Sequence, residues 1–471
     1  MIKMCSSTNF ALLLYILFIV KINADLVEPN DVVIVILSQK EGYHAAHADY
    51  MRRQIYEQAS ALEKEPPKVV LSHELDIKGS WTITPLLIHL SDKFLHTKWF
   101  FFCLENTVIQ LAKLLNVLGK FDSSQNIWIG RALYDHEPTI IHHFAKNTKK
   151  FKYPLMATGF GMTFKLLNSL SQQSYESWKT DFSIDASYEF AEFVLTSTNV
   201  KLTHVPKICI VNGPDCATYP RFFHPCNSSI STNNVYFAVK TCAKYHVNRI
   251  PIIKNSWAKY AVNIGYFSDK ADRNLREAYI VPNTTEGHCA KTYGILQAVS
   301  NMMDRYKYDW LVISDDDTIF SIVRLLHLLT CYNPKHSIAI GERYGFRMWN
   351  RHHGYQYLTG GAGIVLSAPL VHNIIKTGVC NCPSATTPDD MYLFGVCLSR
   401  LGVEPVHSPM FHQARPTDYA TAYLASQEPI SFHKFWMIDP EVVYDEWFAE
   451  TDNILSKQPI KPLNIQKHTE L

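Results

Sequence analysis

Three consecutive aspartates, Asp315, Asp316 and Asp317, follow an apolar run at residues 311–313 that is expected to form a buried strand. Open α/β sheets bind their ligands at the C-terminal ends of such strands. Adjacent carboxylates repel one another unless a cation lies among them, and Mg²⁺ or Mn²⁺ completed by water and substrate phosphates suits this setting. A solvated turn that caps the next helix is the alternative, but a cap needs only one aspartate. The triplet therefore predicts a divalent-cation site.

The strand before the triplet belongs to a pattern that occurs twice in the chain. Placing Trp99 against Trp310 aligns residues 99–130 with residues 310–341 without a gap. Three further matches keep the same order: Gly159-Phe160-Gly161 with Gly361-Ala362-Gly363, residues 200–206 with 403–409, and residues 31–34 with 234–237. In both copies short apolar strands alternate with helical segments, which predicts an α/β fold.

The matches set the expected domain boundaries. Copy one is placed at residues 31–208 and copy two at residues 234–440. The segment between them, residues 209–233, is rich in proline and predicts an exposed linker. A disulfide between Cys216 and Cys226 is expected within it.

The composition favours a globular protein and excludes one class of partner. Apolar residues make up 47% of the 471 residues and charged residues 19%, which is enough apolar surface for a large core. The formal net charge is +2 and the charges form no blocks. The sequence therefore shows no basic surface for nucleic acid, and no such partner is expected.

The two ends of the chain predict residence in the lumen of the endoplasmic reticulum. An apolar run at residues 10–20 has the place and length of a secretory signal peptide, assigned to residues 1–24. An uncleaved, single-pass type II anchor in the membrane of that compartment is the alternative. The last four residues, His468-Thr469-Glu470-Leu471, resemble the K-D-E-L signal that a retrieval receptor binds, and they close an expected extended tail at residues 441–471.

Copy two, from about Val235 to Tyr419, resembles the Fringe-like β1,3-glycosyltransferases, which are metal-dependent inverting enzymes of the GT-A fold. The resemblance rests on a series of motifs in order: Phe237-Ala238-Val239-Lys240-Thr241, His246, Arg249, Trp257, Phe267-Ser268-Asp269, the aspartate triplet, Thr359-Gly360-Gly361-Ala362-Gly363, Pro388-Asp389-Asp390 and Phe411-His412. It implies that the chain has two tandem GT-A-like, Rossmann-like domains.

The resemblance also implies a role for several motif residues. Asp317, together with Asp315, would hold Mn²⁺, and His412 would be the histidine ligand on the far side of the metal. Asp315 and Asp316 would contact the donor sugar or ribose. Gly361 would let the backbone come close to the sugar and the acceptor. The candidates for nucleotide or phosphate contacts are Thr241, Arg249, Asp269 and Lys291.

An inverting transfer needs one general base that removes the proton from the acceptor hydroxyl. Asp390 is predicted to be that base, and Asp389 is the second candidate. The alternative is that the two aspartates only form an acidic helix start. A disulfide from Cys380 or Cys382 to Cys397 is expected to steady the segment.

Copy one departs from the motifs at the positions that carry chemistry. Leu104, Glu105 and Asn106 stand where copy two has the aspartate triplet, and Ala186 and Ser187 stand opposite the two candidate bases. A leucine and an amide cannot replace a carboxylate cradle for a cation. Copy one is therefore predicted to be a catalytically degenerate domain.

The resemblance, with the two-copy layout and the C-terminal signal, implies one reaction above others. This is transfer of glucose from UDP-glucose in β1,3 linkage onto O-linked fucose of thrombospondin type 1 repeats. A β1,3-galactosyl- or N-acetylglucosaminyltransferase acting on another glycoprotein glycan is an alternative, because a few pocket residues decide the donor. A non-catalytic lumenal glycan-binding module is an alternative of another class.

Overall fold

The computed structural model describes residues 26–457 except 145–149, 174–180, 227, 276–277 and 349–352. The predicted signal peptide at residues 1–24 and the retrieval signal at the C-terminus lie outside the described residues. No helix in the described part of the chain combines the length and the apolar character needed to cross a bilayer.

The first half of the chain, up to residue 208, is built on a six-stranded sheet. The spatial order of its strands is Thr203–His204, Trp128–Gly130, Phe160–Thr163, Trp99–Leu104, Val32–Leu37 and Lys68–Leu71. Every residue of Val32–Leu37 is buried, because apolar clusters cover both faces of the sheet. This explains the continuous apolar runs in the sequence, which are typical of strands that are buried on both sides.

The second half, from residue 234, is built on a seven-stranded sheet. The spatial order of its strands is Ala278–Ile280, Ile264–Ser268, Val235–Lys240, Trp310–Asp315, Ile364–Ser367, Ala339–Gly341 and Val406–His407. Apart from the added edge strand Ala278–Ile280, the strand order and orientations repeat those of the first sheet.

The register of the two sheets agrees with the main match in the sequence. Trp99 pairs with Val32 in the first sheet, and Trp310 pairs with Val235 in the second. One of the other matches is wrong by two residues: the pairing of the following strand puts Gly159 in the position of Gly363, not of Gly361. Gly159 and Gly363 both have positive φ, +75° and +89°, which explains why glycine stands at both positions.

Helices and short sheets complete the two halves. The α-helices of the first half are Gly42–Ala61, Leu87–Lys93, Leu111–Leu118, Phe164–Ser171 and Ala186–Thr198. Those of the second half, up to residue 424, are Ile250–Asn255, Cys289–Tyr306, Ile322–Leu329, Ala368–Thr377, Asp389–Met391, Leu398–Arg400 and Thr421–Leu424, with a π-helix at Tyr392–Cys397. The short sheets pair Thr107–Ile109 with Thr218–Pro220, Ala132–Leu133 with Tyr153–Pro154, and Thr318–Phe320 with Ser431–His433.

The two halves share secondary structure. Phe182–Ser183 of the first half pairs antiparallel with Arg343–Phe346 of the second, which also pairs with Tyr355–Leu358. The segment at 209–233 is not a free linker, because Thr218–Pro220 forms a strand and is largely buried. The expected Cys216–Cys226 disulfide is wrong: the bonds are Cys209–Cys216 and Cys226–Cys331.

The segment that follows residue 439 is helical up to residue 457, not an extended tail. Its elements are Pro440–Tyr444, a π-helix at Asp445–Ala449, Glu450–Asp452 and Ile454–Lys457. Tyr444 and Phe448 are buried in the core of the second half. The Asp452 carboxylate is fully buried and accepts hydrogen bonds from the backbone N–H groups of Ile322 and Val323 at the start of a core helix. The second half therefore extends well beyond the expected boundary at residue 440.

Candidate active site

Two carboxylates and one imidazole converge at the C-terminal edge of the second sheet. Asp315 ends the strand Trp310–Asp315, and Asp317 follows in the turn. His433 ends the strand Ser431–His433, which pairs antiparallel with Thr318–Phe320 and so brings this distant residue beside the turn. One ligand atom from each of the three residues lies within 4.8 Å of the others. This is the spacing of groups that share one metal ion.

Two cations orient the carboxylates of this group. The Lys240 ammonium lies 3.0 Å from Oδ1 of Asp315, and the Arg249 guanidinium lies 3.1 Å from Oδ2 of Asp317. The other oxygen of each aspartate faces His433 Nε2, at 3.8 Å for Asp315 and 3.1 Å for Asp317. Each carboxylate therefore keeps one oxygen for the space between the three residues.

The His433 ring is held in a form that suits metal binding. Its Nδ1 lies 3.0 Å from the Gln413 carbonyl oxygen, which only accepts, so Nδ1 donates and Nε2 faces the aspartates. A Cβ on Gly361 would lie 2.3 Å from the ring, so only glycine leaves room for it. Two carboxylate oxygens and one imidazole nitrogen fit a divalent cation such as Mn²⁺ or Mg²⁺.

His433, and not the predicted His412, is the histidine that the structure places beside Asp315 and Asp317. His412 is fully buried, with its Nδ1 3.0 Å from the Ser431 carbonyl and its ring edge-on to Tyr419. Burial lowers the pKa of His412 to about 3, so the ring is neutral and part of the core. His433 had one weak signal, the polar–apolar–polar alternation of residues 431–433, which is typical of a half-buried strand.

Asp316 does not belong to the candidate metal site formed by Asp315, Asp317 and His433, because its carboxylate has hydrogen-bond partners of its own. It is 4% exposed and accepts hydrogen bonds from the Thr241 hydroxyl at 2.7 Å and from Arg249 at 2.6 Å. Burial raises the pKa of Asp316 above its ordinary value in spite of these bonds. Burial alone would also raise the pKa of Asp317, but His433 and Arg249 outweigh it and lower that pKa. Arg249 therefore links two members of the triplet.

Lys240 connects the candidate metal site with the other two candidate aspartates, Asp389 and Asp390. Its ammonium lies 2.8 Å from Oδ2 of Asp389, which also accepts a hydrogen bond from the Thr292 hydroxyl. Burial by itself lowers the pKa of Lys240, but Asp315 and Asp389 outweigh it and hold that pKa above its ordinary value. The charged Lys240 side chain therefore bridges Asp315 and Asp389. In the sequence, Lys240 stood only within a motif that carries the family resemblance, and no role was predicted for it.

Asp390 differs from its neighbour Asp389 in the partners of its carboxylate. One of its oxygens accepts a hydrogen bond from the Met391 backbone N–H at 2.7 Å, and no ammonium or guanidinium of the described residues lies in salt-bridge contact with it. Burial, with the charge of Asp389, raises the pKa of Asp390 to about 6. A carboxylate with a pKa near neutrality suits proton removal better than a paired one.

The segment before the two aspartates is fixed to a long helix. Disulfides Cys289–Cys382 and Cys380–Cys397 bracket it, and the second confirms one of the two expected pairings. The Asp389 N–H donates to the Gly287 carbonyl at 2.7 Å. A Cβ on Gly287 would lie 1.9 Å from a backbone oxygen, so glycine is required at this contact.

The remaining residues predicted to contact the nucleotide line the same edge of the sheet. Lys291 is buried, donates to the Thr241 carbonyl oxygen, and has its pKa lowered by burial. Asp269 accepts a hydrogen bond from the Ala243 N–H at 2.7 Å. The structure thus brings Thr241, Arg249 and Lys291 next to the triplet and places Asp269 at the end of the neighbouring strand.

Comparison with known proteins identifies the family. The Fringe-like family model matches residues 230–453. The chain is 42% identical to the β-1,3-glucosyltransferase of Mus musculus over 90% of this chain and 88% of that protein. It is 43% identical to the β-1,3-glucosyltransferase of Homo sapiens over 92% and 88%. It is 23% identical to the β-1,3-N-acetylglucosaminyltransferase radical fringe of Gallus gallus, over 39% of this chain and 55% of that protein. The chain therefore belongs to the Fringe-like glycosyltransferases and, within them, to the β-1,3-glucosyltransferases.

Proposed function

We propose that the protein transfers glucose from UDP-glucose, with Mn²⁺ as cofactor, in β1,3 linkage onto O-linked fucose of thrombospondin type 1 repeats. The observation that carries this proposal is the position of Lys240 between Asp315 and Asp389, 3.0 and 2.8 Å from their oxygens. This contact supports a cation site and a candidate base at the same edge of one sheet, since Asp390 follows Asp389 directly in the chain. The names of the two full-length relatives support glucose as the transferred sugar.

The chemistry follows from the roles of the side chains. Asp315, Asp317 and His433 would hold the cation, which supplies charge neutralisation for the diphosphate that leaves. Asp390 removes the proton from the acceptor hydroxyl as that oxygen forms its bond to the anomeric carbon. One displacement with one base inverts the configuration at that carbon. Lys240 and Thr292 hold Asp389, which sets the position of Asp390 in the next residue.

The first half is a degenerate copy in this proposal. By register, Leu37 and Leu104 hold the positions of Lys240 and Asp315. A Glu105 carboxylate oxygen lies 2.5 Å from His44 Nδ1. Two leucines in place of a lysine and an aspartate leave no cradle for a cation, which supports an architecture of two tandem GT-A-like domains with chemistry in the second alone.

The proposed compartment is the lumen of the endoplasmic reticulum, reached through residues 1–24 and kept through the C-terminal signal and its retrieval receptor. The four disulfides among the described residues support an oxidising compartment. Removal of the last four residues should cause secretion of the protein from cultured cells. Retention of the shortened protein in the cell would contradict the proposed signal.

One panel of reactions tests the proposed activity. The purified protein is mixed with Mn²⁺, UDP-glucose, UDP-galactose or UDP-N-acetylglucosamine, and a thrombospondin repeat with or without O-linked fucose. UDP release should require UDP-glucose and the fucosylated repeat, and mass spectrometry should find one added hexose. Faster transfer from another donor would favour the galactosyl- or N-acetylglucosaminyltransferase alternative. No transfer from any donor would favour a glycan-binding module.

A further inference from the structure

A cavity of about 1410 Å³ lies between the two halves, at the C-terminal edge of the first sheet. Its lining includes Leu37 and Leu104, which end two paired strands, and Glu105 and Asn106, which follow. These are the positions at which the second sheet carries Lys240 and the aspartate triplet. The first half has therefore kept a pocket at the edge where α/β sheets bind ligands, without the residues for a cation.

The charges around the cavity argue against a nucleotide. Among the residues that the structure describes, the acidic side chains of the lining are Glu105, Asp185, Glu342 and Glu428, the arginines are Arg221 and Arg343, and no lysine lines the cavity. Burial raises the pKa of Glu342 to about 8, so this carboxyl is uncharged at neutral pH and three carboxylates stand against two arginines. A diphosphate would meet these carboxylates with no metal cradle to offset the repulsion. The lining therefore favours a ligand without net charge.

The cavity also combines flat aromatic rings with polar side chains. Its aromatic lining includes Trp81, Tyr153, Tyr332 and Tyr423, and the polar lining includes Asn106 and Ser408. A pyranose ring presents C–H faces that pack on aromatic rings, and hydroxyl groups that both donate and accept hydrogen bonds. Aromatic surface beside amide and hydroxyl groups is the complement of a sugar.

Five side chains of the lining have a buried polar atom without a hydrogen-bond partner among the residues that the structure describes. The atoms are Trp81 Nε1, Asn106 Oδ1, Arg343 Nε, Ser408 Oγ and Gln427 Oε1. Ser408 is only 2% exposed. A buried polar atom destabilises the fold when no partner satisfies it. The set contains donors and acceptors, so hydroxyl groups that do both could satisfy all five.

We propose that this cavity is a second saccharide site, which binds a neutral oligosaccharide of at least two sugar units and takes no part in the transfer. Its volume exceeds the roughly 300–1,000 Å³ of ordinary ligand pockets, so it has room for more than one sugar ring. None of Asp317, Asp389, Asp390 and His433 lines it. The site goes beyond the proposed transferase activity and does not depend on it.

Saturation-transfer-difference NMR on the full-length protein tests the proposal. The probes are glucosyl-β1,3-fucose, cellotetraose, chitotetraose and mannotetraose, with UDP and an unglycosylated thrombospondin repeat as comparison ligands, and no UDP-sugar or metal is added. At least one probe should bind, and Asn106→Leu and Trp81→Phe should each weaken its binding at least tenfold. Asn301→Leu, the same change at an exposed position of the Cys289–Tyr306 helix, should leave it unchanged.

Several outcomes would overturn the proposal. One is that no probe binds; another is that Asp317→Ala abolishes binding while both cavity variants retain it, because the saccharide would then occupy the transfer site. A third is that only UDP, or only an unglycosylated repeat, binds in a way that depends on Asn106. If circular dichroism shows that Asn106→Leu does not fold, Trp81→Phe, which keeps an aromatic ring, decides the test alone.

Discussion

Replacement of Asp390 by asparagine should separate activity from stability. The pKa of this carboxyl is raised to about 6 from an ordinary 3.8 by burial and by Asp389. If Asp390 is the base, it must be ionised to act, so the rate of the wild-type enzyme should fall about tenfold between pH 7 and pH 5. A carboxyl with an ordinary pKa would lose less than about a tenth of its rate over that range. Asp390→Asn should lower turnover by roughly 10² or more and should not show the wild-type slope.

The same shift fixes the sign of the effect on stability. Because the folded state raises the pKa, the folded protein holds the Asp390 proton more tightly than the unfolded chain does. The contribution of Asp390 to the stability of the protein is therefore greatest below about pH 4 and falls as the pH rises through 6. A shift of about two units corresponds to about 3 kcal/mol, so Asp390→Asn should stabilise the protein by up to about that amount at pH 8 and by nothing at pH 4.

The assay combines UDP release at saturating metal and substrates with thermal unfolding across the same pH range. Asp389→Asn is the matched control, because it removes a partner of Lys240 and should reduce both stability and activity. The reasoning is refuted if Asp390→Asn keeps more than a tenth of the wild-type rate, or if its pH profile matches that of the wild type. Loss of activity in Asp389→Asn alone would reverse the two roles.

Three further changes test other parts of the structure. His433→Ala should raise the Mn²⁺ concentration for half-maximal UDP release at least tenfold. His412→Phe should leave that concentration unchanged, even if the stability of the protein falls. The reverse result would favour His412 as the ligand. Gly361→Ala should displace the His433 ring and weaken metal dependence in the same titration, while Gly42→Ala, where a Cβ meets nothing within 4 Å, should have no effect. Asp452→Ala should lower the free energy of unfolding by about 1–3 kcal/mol in urea titrations, because buried N–H groups lose their acceptor. An unchanged urea midpoint would show that the C-terminal helices add little to the stability of the fold.

The sequence predicted those parts of the site that a single strand carries. The apolar run before Asp315 ends at the expected edge of the sheet, since a strand that is buried on both faces has to be apolar throughout. Trp99 and Trp310 occupy equal register positions for the same reason, because their strands lie between equivalent neighbours. The local apolar pattern was therefore sufficient to predict the place of a residue wherever a single strand determines it.

Residues brought together from distant parts of the chain were missed. His433 reaches Asp317 only because the chain returns after 116 residues and pairs antiparallel with Thr318–Phe320. Residues 411–412 and residues 432–433 are both Phe-His, so the motif alone could not distinguish the two histidines. The partners of Cys216 and Cys226 depend on packing between segments in the same way.

A crystal grown with Mn²⁺ and UDP tests the central claim most directly, through an anomalous difference map recorded at the manganese absorption edge. The account predicts one strong peak in the second half, within bonding distance of Asp315, Asp317 and His433. A peak beside His412, or one in the first half at Glu105, would contradict the assignment of the cation site.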